Sequence, residues 1–263
     1  MSLFLSLIVF LFGLAIGSFL NCVLYRLEIK KSFLKSRSFC PKCKHVLGFF
    51  DLVPVLSFLC LLGKCRYCKK KISFQYPLVE ITVGILFLLY FNLFWLEHLS
   101  LSDFVFHIII ACFLVIVFVY DLRHYLILDK VIYPAIGLTL FYQGLMFFLK
   151  PEGLNPSVFL SGLGAASFFL AIVLLSRGKW MGVGDIKLAL LMGLLLGYPT
   201  ILVALFFAFL SGAIIGTALI LIRKKTFKSE VPFGPFLVAG TFLAFFWGDK
   251  IVDWYLNTSF LLI

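Results

Sequence analysis

Long apolar segments alternate with short polar ones along almost the whole chain. A membrane-spanning helix needs about 20 predominantly apolar residues, and eight stretches approach or exceed that length. They cover approximately 3–25, 78–96, 104–120, 131–149, 157–176, 186–198, 200–222 and 233–247. The sixth stretch is short, and the eighth has no sharp end. The pattern predicts an all-α polytopic membrane protein with about eight transmembrane helices.

One polar segment is long enough to fold outside the bilayer. It divides the chain into a first transmembrane helix (1–25), a loop domain (26–77) and a membrane-embedded core (78–263). The first stretch lacks the charged start and the small-residue cleavage site of a secretory signal peptide. We therefore interpret it as an ordinary transmembrane helix.

The distribution of basic residues predicts the orientation. Only 13% of the 263 residues are charged, although the net charge is +11, and a soluble domain would have about a quarter charged residues. All 23 Lys and Arg residues except Lys150 and Lys250 fall in the segments 26–77, 121–130, 177–187 and 223–232. This bias predicts that these four segments face the cytoplasm. The charge is therefore explained by topology and by attraction to lipid headgroups, and it does not indicate a nucleic-acid partner.

Four cysteines in the loop domain form two C-x-x-C pairs. They are Cys40, Cys43, Cys65 and Cys68. Each pair can present two thiolates on one tight turn, and two such turns complete a tetrahedral site for zinc. The cytoplasm disfavours structural disulfides, so an iron–sulfur centre and unliganded thiols are the remaining alternatives. A metal would supply much of the folding free energy of so small a loop, and we interpret His45 and His124 as polar loop residues.

Two aspartates are predicted at the same depth on the same side of the membrane. Asp121 ends the third apolar stretch, and Asp185 begins the sixth. Two carboxylates in one partly dehydrated site cannot both ionise readily, so they share a proton. One can then deprotonate a water while the other donates to a scissile carbonyl, which is the chemistry of an aspartic protease.

Other roles for these carboxylates remain open on the residues alone. The aspartates could cap helix N-termini or form ion pairs with Arg123 and Lys187. Asp129 is a rival partner for Asp185, although it precedes the fourth stretch, where capping is its expected role.

The glycines before Asp185 fit a site that approaches a substrate closely. Gly182 and Gly184 would let the backbone come near the carboxylate and adopt a positive φ. They would also leave room for an extended substrate.

Seven elements in order resemble a known family, the bacterial type IV prepilin peptidases. The chain is similar to that family in "GLAIGSFLNCVLYRL", "RSFCPKC", "PVLSFLCLLGKCRYC", "ISFQYPLVE", "DLRHYLILD", "MGVGDIKL" and "PFGPFLVAG". It departs from the family pattern at Leu128, where a proline is usual, and at Gln75, where an arginine is common.

The resemblance implies a bifunctional enzyme of the bacterial inner membrane whose active site faces the cytoplasm. It would cut the basic leader from prepilins, pseudopilins or competence pilins, and then methylate the new N-terminus with S-adenosylmethionine. Asp121 and Asp185 would be the catalytic pair, and the four cysteines would bind zinc. The active-site loop would be supported by Gly182, Gly184 and Lys187.

The methyl transfer depends on the resemblance alone, because the chain contains no recognisable S-adenosylmethionine fold. Glu80, near the inner start of the second stretch, is a candidate for that second site. The alternative is a boundary carboxylate near the lysines 69–71.

Three other functions fit parts of the sequence. Proteases of the presenilin and signal-peptide-peptidase type pair a Y-D with a G-x-G-D, but they lack the four-cysteine loop and the "GSFLN" element. A transporter could use membrane carboxylates as proton or cation sites, although it would commonly contain two related halves, and no internal repeat is visible. A zinc-dependent scaffold would keep its function after Asp185→Asn, whereas a protease would lose it.

Overall fold

The computed structural model describes residues 3–29, 38–96, 98–149, 157–222 and 231–260. Within these ranges the regular elements are helical, apart from two isolated β-bridges. The helices are α1 (Leu3–Glu28), α2 (Leu56–Cys60), α3 (Gln75–Trp95), α4 (Leu101–His124), α5 (Asp129–Leu149), α6 (Ser157–Ser176), α7 (Val183–Leu196), α8 (Thr200–Leu221) and α9 (Gly234–Phe260). One turn of 3₁₀ helix covers Phe49–Asp51. The prediction of an all-α fold is confirmed.

Seven helices in the described ranges are long and apolar enough to cross a membrane. They are α1, α3, α4, α5, α6, α8 and α9. The sixth predicted stretch corresponds to α7, whose 14 residues rise about 21 Å at about 1.5 Å per residue. That is less than the roughly 30 Å of a bilayer's hydrocarbon core. The protein is therefore a multi-pass membrane protein with seven candidate spans and one short apolar helix. Parts of two predicted basic segments, 30–37 and 223–230, lie outside the described residues.

The chain forms two compact units, Met1–Ile116 and Val117–Ile263. We call them the N-terminal unit and the C-terminal unit.

In the N-terminal unit, α1 packs directly on α3. A Cβ at Gly17 would lie 2.6 Å from the Cα of Glu80, so only glycine permits this approach. Small residues allow such close packing of membrane helices. One turn further along α1, the side-chain amide of Asn21 donates to the carbonyl oxygen of Tyr76 at 3.0 Å. The contact therefore combines close backbone packing with a buried polar link.

In the C-terminal unit, α7 packs against α5, α6, α8 and α9. Leu188, Ala189, Leu191 and Met192 on α7 are completely buried. A helix that is apolar on all sides is found either in the core of a protein or across a membrane, and α7 is too short for the second. This burial explains how so short an apolar helix is accommodated, and it fixes the position of the residues at the start of α7.

Candidate active site

Asp121 lies in the last turn of α4. The helix extends to His124, beyond the apolar stretch 104–120. Only 4% of Asp121 is exposed. The backbone of Gly234, the first residue of α9, lies against the Asp121 carboxylate. A Cβ at Gly234 would lie 2.5 Å from Oδ2 of Asp121. The carboxylate therefore rests against bare backbone, at a position where a side chain would collide with it.

Asp185 lies in the first turn of α7 and is 8% exposed. Its Oδ2 accepts a hydrogen bond from the backbone amide of Gly182 at 3.2 Å. The capping role that the sequence left open is therefore real for Asp185. A carboxylate that caps a helix is held in one orientation. The cap thus fixes the direction of a buried acid.

The Ile127 side chain lies beside Gly184 and Gly234, the glycines next to the two aspartates. A Cβ at Gly184 would lie 2.9 Å from Cβ of Ile127, and one at Gly234 would lie 3.4 Å from Cδ1 of the same side chain. Asp121 and Asp185 are also close enough for their charges to interact. The structure therefore brings together, within the C-terminal unit, two acids that are 64 positions apart in the sequence.

Two buried acids in this arrangement can do acid–base chemistry. Like charges in a desolvated site are costly, which favours a state in which one carboxyl group keeps its proton while the other is ionised. The ionised group can accept a proton from a water, and the protonated group can donate one to a carbonyl oxygen. In that state the pair contains both an acid and a base.

The predicted positive φ of the two glycines is wrong, whereas the predicted approach of the backbone to the Asp185 carboxylate is present at Gly182. Gly182 has a φ of −80°, and Gly184 is a helical residue that is not among the glycines with positive φ. Ile127 explains why position 184 is a glycine, because its side chain fills the space that a Cβ there would need. Gly184 thus permits tight packing and not an unusual turn.

Lys187 pairs with Asp129, the first residue of α5, through a hydrogen-bonded ion pair. The Lys187 ammonium also lies 4.7 Å from the centre of the Tyr133 ring, within the range of a cation–π contact. The Asp129 side chain is 61% exposed. Asp129 is therefore a less favourable partner for Asp185 than the buried Asp121 is. Its ion pair with Lys187 connects the start of α7 to α5.

The four predicted cysteine ligands come together in the N-terminal unit. Their Sγ atoms all lie within 4.8 Å of one another. Cys40 and Cys65 are buried, whereas Cys43 is exposed. The prediction of a four-cysteine cluster is confirmed.

The two C-x-x-C pairs have nearly the same backbone geometry. The amide of Lys44 donates to the Cys40 carbonyl oxygen at 2.8 Å, and that of Lys69 donates to the Cys65 carbonyl oxygen at 3.0 Å. Lys44 has a φ of 59° and Lys69 a φ of 58°, so each turn closes through a left-handed residue. Such turns present two thiols on one side, as a metal knuckle requires.

The cluster has the size and chemistry of a zinc site. A tetrahedron with Zn–S bonds of about 2.3 Å has S–S edges of about 3.8 Å, and the Sγ atoms of Cys40 and Cys68 are 4.0 Å apart. Burial raises the pKa of Cys40, but backbone hydrogen bonds outweigh it and lower the pKa to about 7, which favours the thiolate that a metal binds. The ring of His45 lies 3.7 Å from that of Tyr67, in keeping with its interpretation as a loop residue.

Glu80 is a buried carboxylate of the N-terminal unit, with 6% of the residue exposed. Its Oε2 accepts a hydrogen bond from the backbone amide of Val55 at 2.8 Å. Among the described residues, Asn21 on the adjacent α1 has a buried Oδ1 with no hydrogen-bond partner. The region therefore contains a buried acid and an unused acceptor oxygen.

Gly234 and Ile127 were not identified as site residues from the sequence. In the sequence Gly234 stands only as part of the "PFGPF" element, which indicates no role for it. Both act through packing at long sequence separation, which leaves no periodic signal. The unusual glycine between two Pro-Phe pairs was the only available indication.

Comparisons with known proteins match almost the whole chain. Residues 11–94 match the Bacterial Peptidase A24 N-terminal domain, and residues 108–217 match the Type IV leader peptidase family. No solved structure matches the chain.

Three curated proteins named prepilin leader peptidase/N-methyltransferase are similar over nearly their full length. The protein of Aeromonas salmonicida (strain A449) is 34% identical over 95% of this chain and 94% of its own. That of Bacillus subtilis (strain 168) is 34% identical over 96% and 98%, respectively. That of Legionella pneumophila is 31% identical over 97% and 95%, respectively.

Proposed function

The chain belongs to the type IV leader peptidase family, and from this premise we propose that it removes the short basic leader of prepilin-like proteins. The observation that carries the proposal is the buried pair of Asp121 and Asp185 in the C-terminal unit. The chain is a peptidase by family. The leader specificity and the identity of the catalytic residues are our proposal.

In the proposed mechanism the two aspartates act as one acid–base unit. The ionised carboxylate takes a proton from a water, which attacks the scissile carbonyl carbon. The protonated carboxyl group donates its proton to the carbonyl oxygen, so the pair ends the step with its protons exchanged. Gly184 and Gly182 position Asp185 through packing and capping, while Lys187 secures the start of α7 to α5.

The proposed location is the cytoplasmic face of the inner membrane. The basic segments around the aspartates predict a cytoplasmic orientation for the end of α4 and the start of α7. A prepilin-like substrate has a basic leader followed by an apolar helix that lies in the bilayer. Its scissile bond would then lie at the inner membrane surface, at the depth predicted for the two acids.

We further propose that the protein methylates the new N-terminus, as the names of its relatives indicate for them. S-adenosylmethionine would supply the methyl group. Glu80 is our candidate residue for this second site, because a buried carboxylate attracts a cationic group. The unused Oδ1 of Asn21 fits the same need, since an amine donor would satisfy it.

We also propose that the loop domain (26–77) holds zinc through its four cysteines. Zinc bound by four thiolates is closed to substrate and stabilises the surrounding chain. Its role would be to fold the loop domain and not to take part in either reaction.

The proposal is tested with purified protein and prepilin, pseudopilin and competence-pilin substrates, by measuring product masses. We expect loss of the leader and, with S-adenosylmethionine, a further gain of one methyl group. Glu80→Gln keeps an oxygen that can accept from Val55 but loses the charge, and we expect it to cleave without methylating. Uncleaved substrate across all three classes would refute the peptidase proposal, whereas full methylation by Glu80→Gln would refute only the role of Glu80.

Gly234→Ala is expected to reduce cleavage strongly without unfolding the protein. The added methyl group would lie 2.5 Å from Oδ2 of Asp121, so the carboxylate or the start of α9 must move. Displacing a catalytic group by about 1 Å costs on the order of 100-fold in rate. The rate of leader cleavage under single-turnover conditions measures the effect.

Gly137→Ala on α5 is the matched control, because nothing lies within 4 Å of a Cβ at that position. It should cleave at the parent rate. Equal rates for the two variants would show that the contact between Gly234 and Asp121 does not matter for the reaction.

A further inference from the structure

The loop domain (26–77), which contains the four cysteines, has a strongly exposed apolar stretch at residues 49–62, which we call the apolar segment. Its most exposed large side chains are Phe49 (81%), Phe50 (76%), Leu56 (59%), Leu59 (59%) and Leu62 (84%). Single exposed leucines are normal on a protein surface, but a contiguous apolar patch marks a binding surface. Leu56 and Leu59 are three residues apart on α2 and so lie on one helix face.

Asp51, the one charged residue of the apolar segment, is bound by two residues that lie between Cys65 and Cys68. Oδ1 of Asp51 accepts a hydrogen bond from Nε of Arg66 at 2.7 Å, and Oδ2 accepts one from the hydroxyl of Tyr67 at 3.1 Å. Although burial raises the pKa of Asp51, hydrogen bonds from the Gly48 amide, Tyr67 and Arg66 hold it below its usual range. The one charge of the segment is therefore satisfied within the domain, while its phenylalanine and leucine side chains named above remain exposed.

Two contacts fix the apolar segment beside the start of α3. The amide of Val55 donates to Oε2 of Glu80 at 2.8 Å. The Phe58 ring lies 5.3 Å from that of Phe74, the residue that precedes α3. Glu80 is the sixth residue of α3, so the segment lies level with the first two turns of a helix that is long enough to cross the membrane.

The patch is continuous with the exposed stripe of α3. Phe74, Leu78, Ile81 and Ile85 are 72%, 62%, 37% and 47% exposed. Their spacing of four, three and four residues places them on one helix face. On a candidate transmembrane helix such a face contacts lipid, and Phe74 at its beginning lies beside Phe58 of the apolar segment.

Basic side chains border the same region. Lys64, Lys69, Lys70 and Lys71 are all exposed, and Lys64 forms a β-bridge with Lys71. These lysines flank Leu62 and precede Phe74 in the sequence. Apolar side chains bordered by lysines are typical of segments that bind the boundary between headgroups and acyl chains.

We propose that the apolar segment lies in the membrane–water interface beside α3 and holds the four-cysteine domain against the lipid. Leu56, Leu59 and Leu62 enter the boundary between headgroups and acyl chains, while the flanking lysines contact anionic headgroups. Glu80 secures the segment at this depth through Val55, whose φ of 60° is a costly conformation for a β-branched residue. This assignment is independent of the proposed catalytic function.

The test uses the full-length protein in proteoliposomes of zwitterionic and anionic phospholipid. Leu59 or Leu62 is replaced by the photoreactive residue p-benzoylphenylalanine, the sample is illuminated, and adducts are identified by peptide mass spectrometry. Val46 is the matched control, since it is an apolar residue of the same domain with 47% exposure outside the segment. Unfolding temperatures of the three variants confirm that each is folded, as expected for exposed positions.

We expect phospholipid adducts at positions 59 and 62, with a yield several-fold above that at position 46. Equal lipid yields at all three positions would overturn the proposal, because the domain would then contact lipid without using this segment. Adducts only to a second copy of the chain, or products without lipid at both positions, would overturn it as well.

Discussion

Asp185→Asn and Asp121→Asn are each expected to abolish leader cleavage while leaving the protein folded. Asparagine keeps the size of the side chain, so the packing around Ile127 and the cap at Gly182 can persist. It can neither take a proton from water nor donate one as a carboxylic acid does. Loss of one member of a catalytic unit costs on the order of 10⁴-fold in rate. Single-turnover cleavage of a prepilin-like substrate, with product masses, measures the loss.

The control for this prediction is Asp129→Asn. Asp129 is the rival acid on the same side of the protein, but its side chain is 61% exposed and pairs with Lys187. We expect this variant to retain most of the cleavage rate. Loss of cleavage in Asp129→Asn together with normal cleavage in Asp121→Asn would show that Asp129, and not Asp121, is the partner of Asp185.

A double variant adds a second check on the pairing. If Asp121 and Asp185 act as one unit, Asp121→Asn combined with Asp185→Asn should cleave no more slowly than either single variant, because the first loss already removes the step. Independent contributions would instead multiply. Strictly multiplicative losses would show that the two acids do not share one proton-transfer step.

The helices were predictable because each span carries its own signal. An apolar run of the right length needs no knowledge of its neighbours, and the predicted stretches lie within a few residues of α1, α3, α4, α5, α6 and α8. The short α7 was harder, since an apolar run of 14 residues can be a shortened span or a buried helix. Its surroundings decide between these possibilities, and they belong to other parts of the chain.

The site was partly predictable for a related reason. The pairing of Asp121 with Asp185 followed from their equal predicted depth, which topology alone supplies. The role of Gly234 and the packing reason for Gly184 could not be predicted, because both depend on which side chain lies opposite. The glycines of the G-x-G-D element are compatible with either a positive φ or close packing. The contact of Gly184 with Ile127 shows that close packing applies there.

The loop domain shows the opposite limit of sequence reasoning. Its average polarity separates it from the spans in the sequence, and the cysteine spacing correctly predicted the cluster. The same averaging concealed the apolar segment at 49–62, whose leucines are too few for a span. Only the structure shows that these side chains face outward beside α3.

Cys40→Ser is expected to remove zinc from the protein and to unfold the loop domain. Cys40 is buried, and its Sγ lies 4.0 Å from that of Cys68, so a serine leaves the tetrahedron one thiolate short. Structural zinc contributes roughly 10–16 kcal/mol of binding free energy in small domains, which is more than a loop with so little core can replace. Metal content by elemental mass spectrometry should fall from one zinc per chain to well below one, and limited proteolysis should then cut within residues 26–77.

Cys60→Ser is the matched control for the metal prediction. Cys60 is exposed and lies outside the cluster of four, so this variant should keep its zinc and resist the protease. Chelation of the parent protein should reproduce the proteolysis pattern of Cys40→Ser, because removing the metal and removing a ligand leave the same unsupported loop. If the parent protein contained iron and showed visible charge-transfer absorption, the four cysteines would hold an iron–sulfur centre and not zinc. A parent that contains no metal, with a loop equally resistant in both variants, would show that the four thiols fold the domain without one.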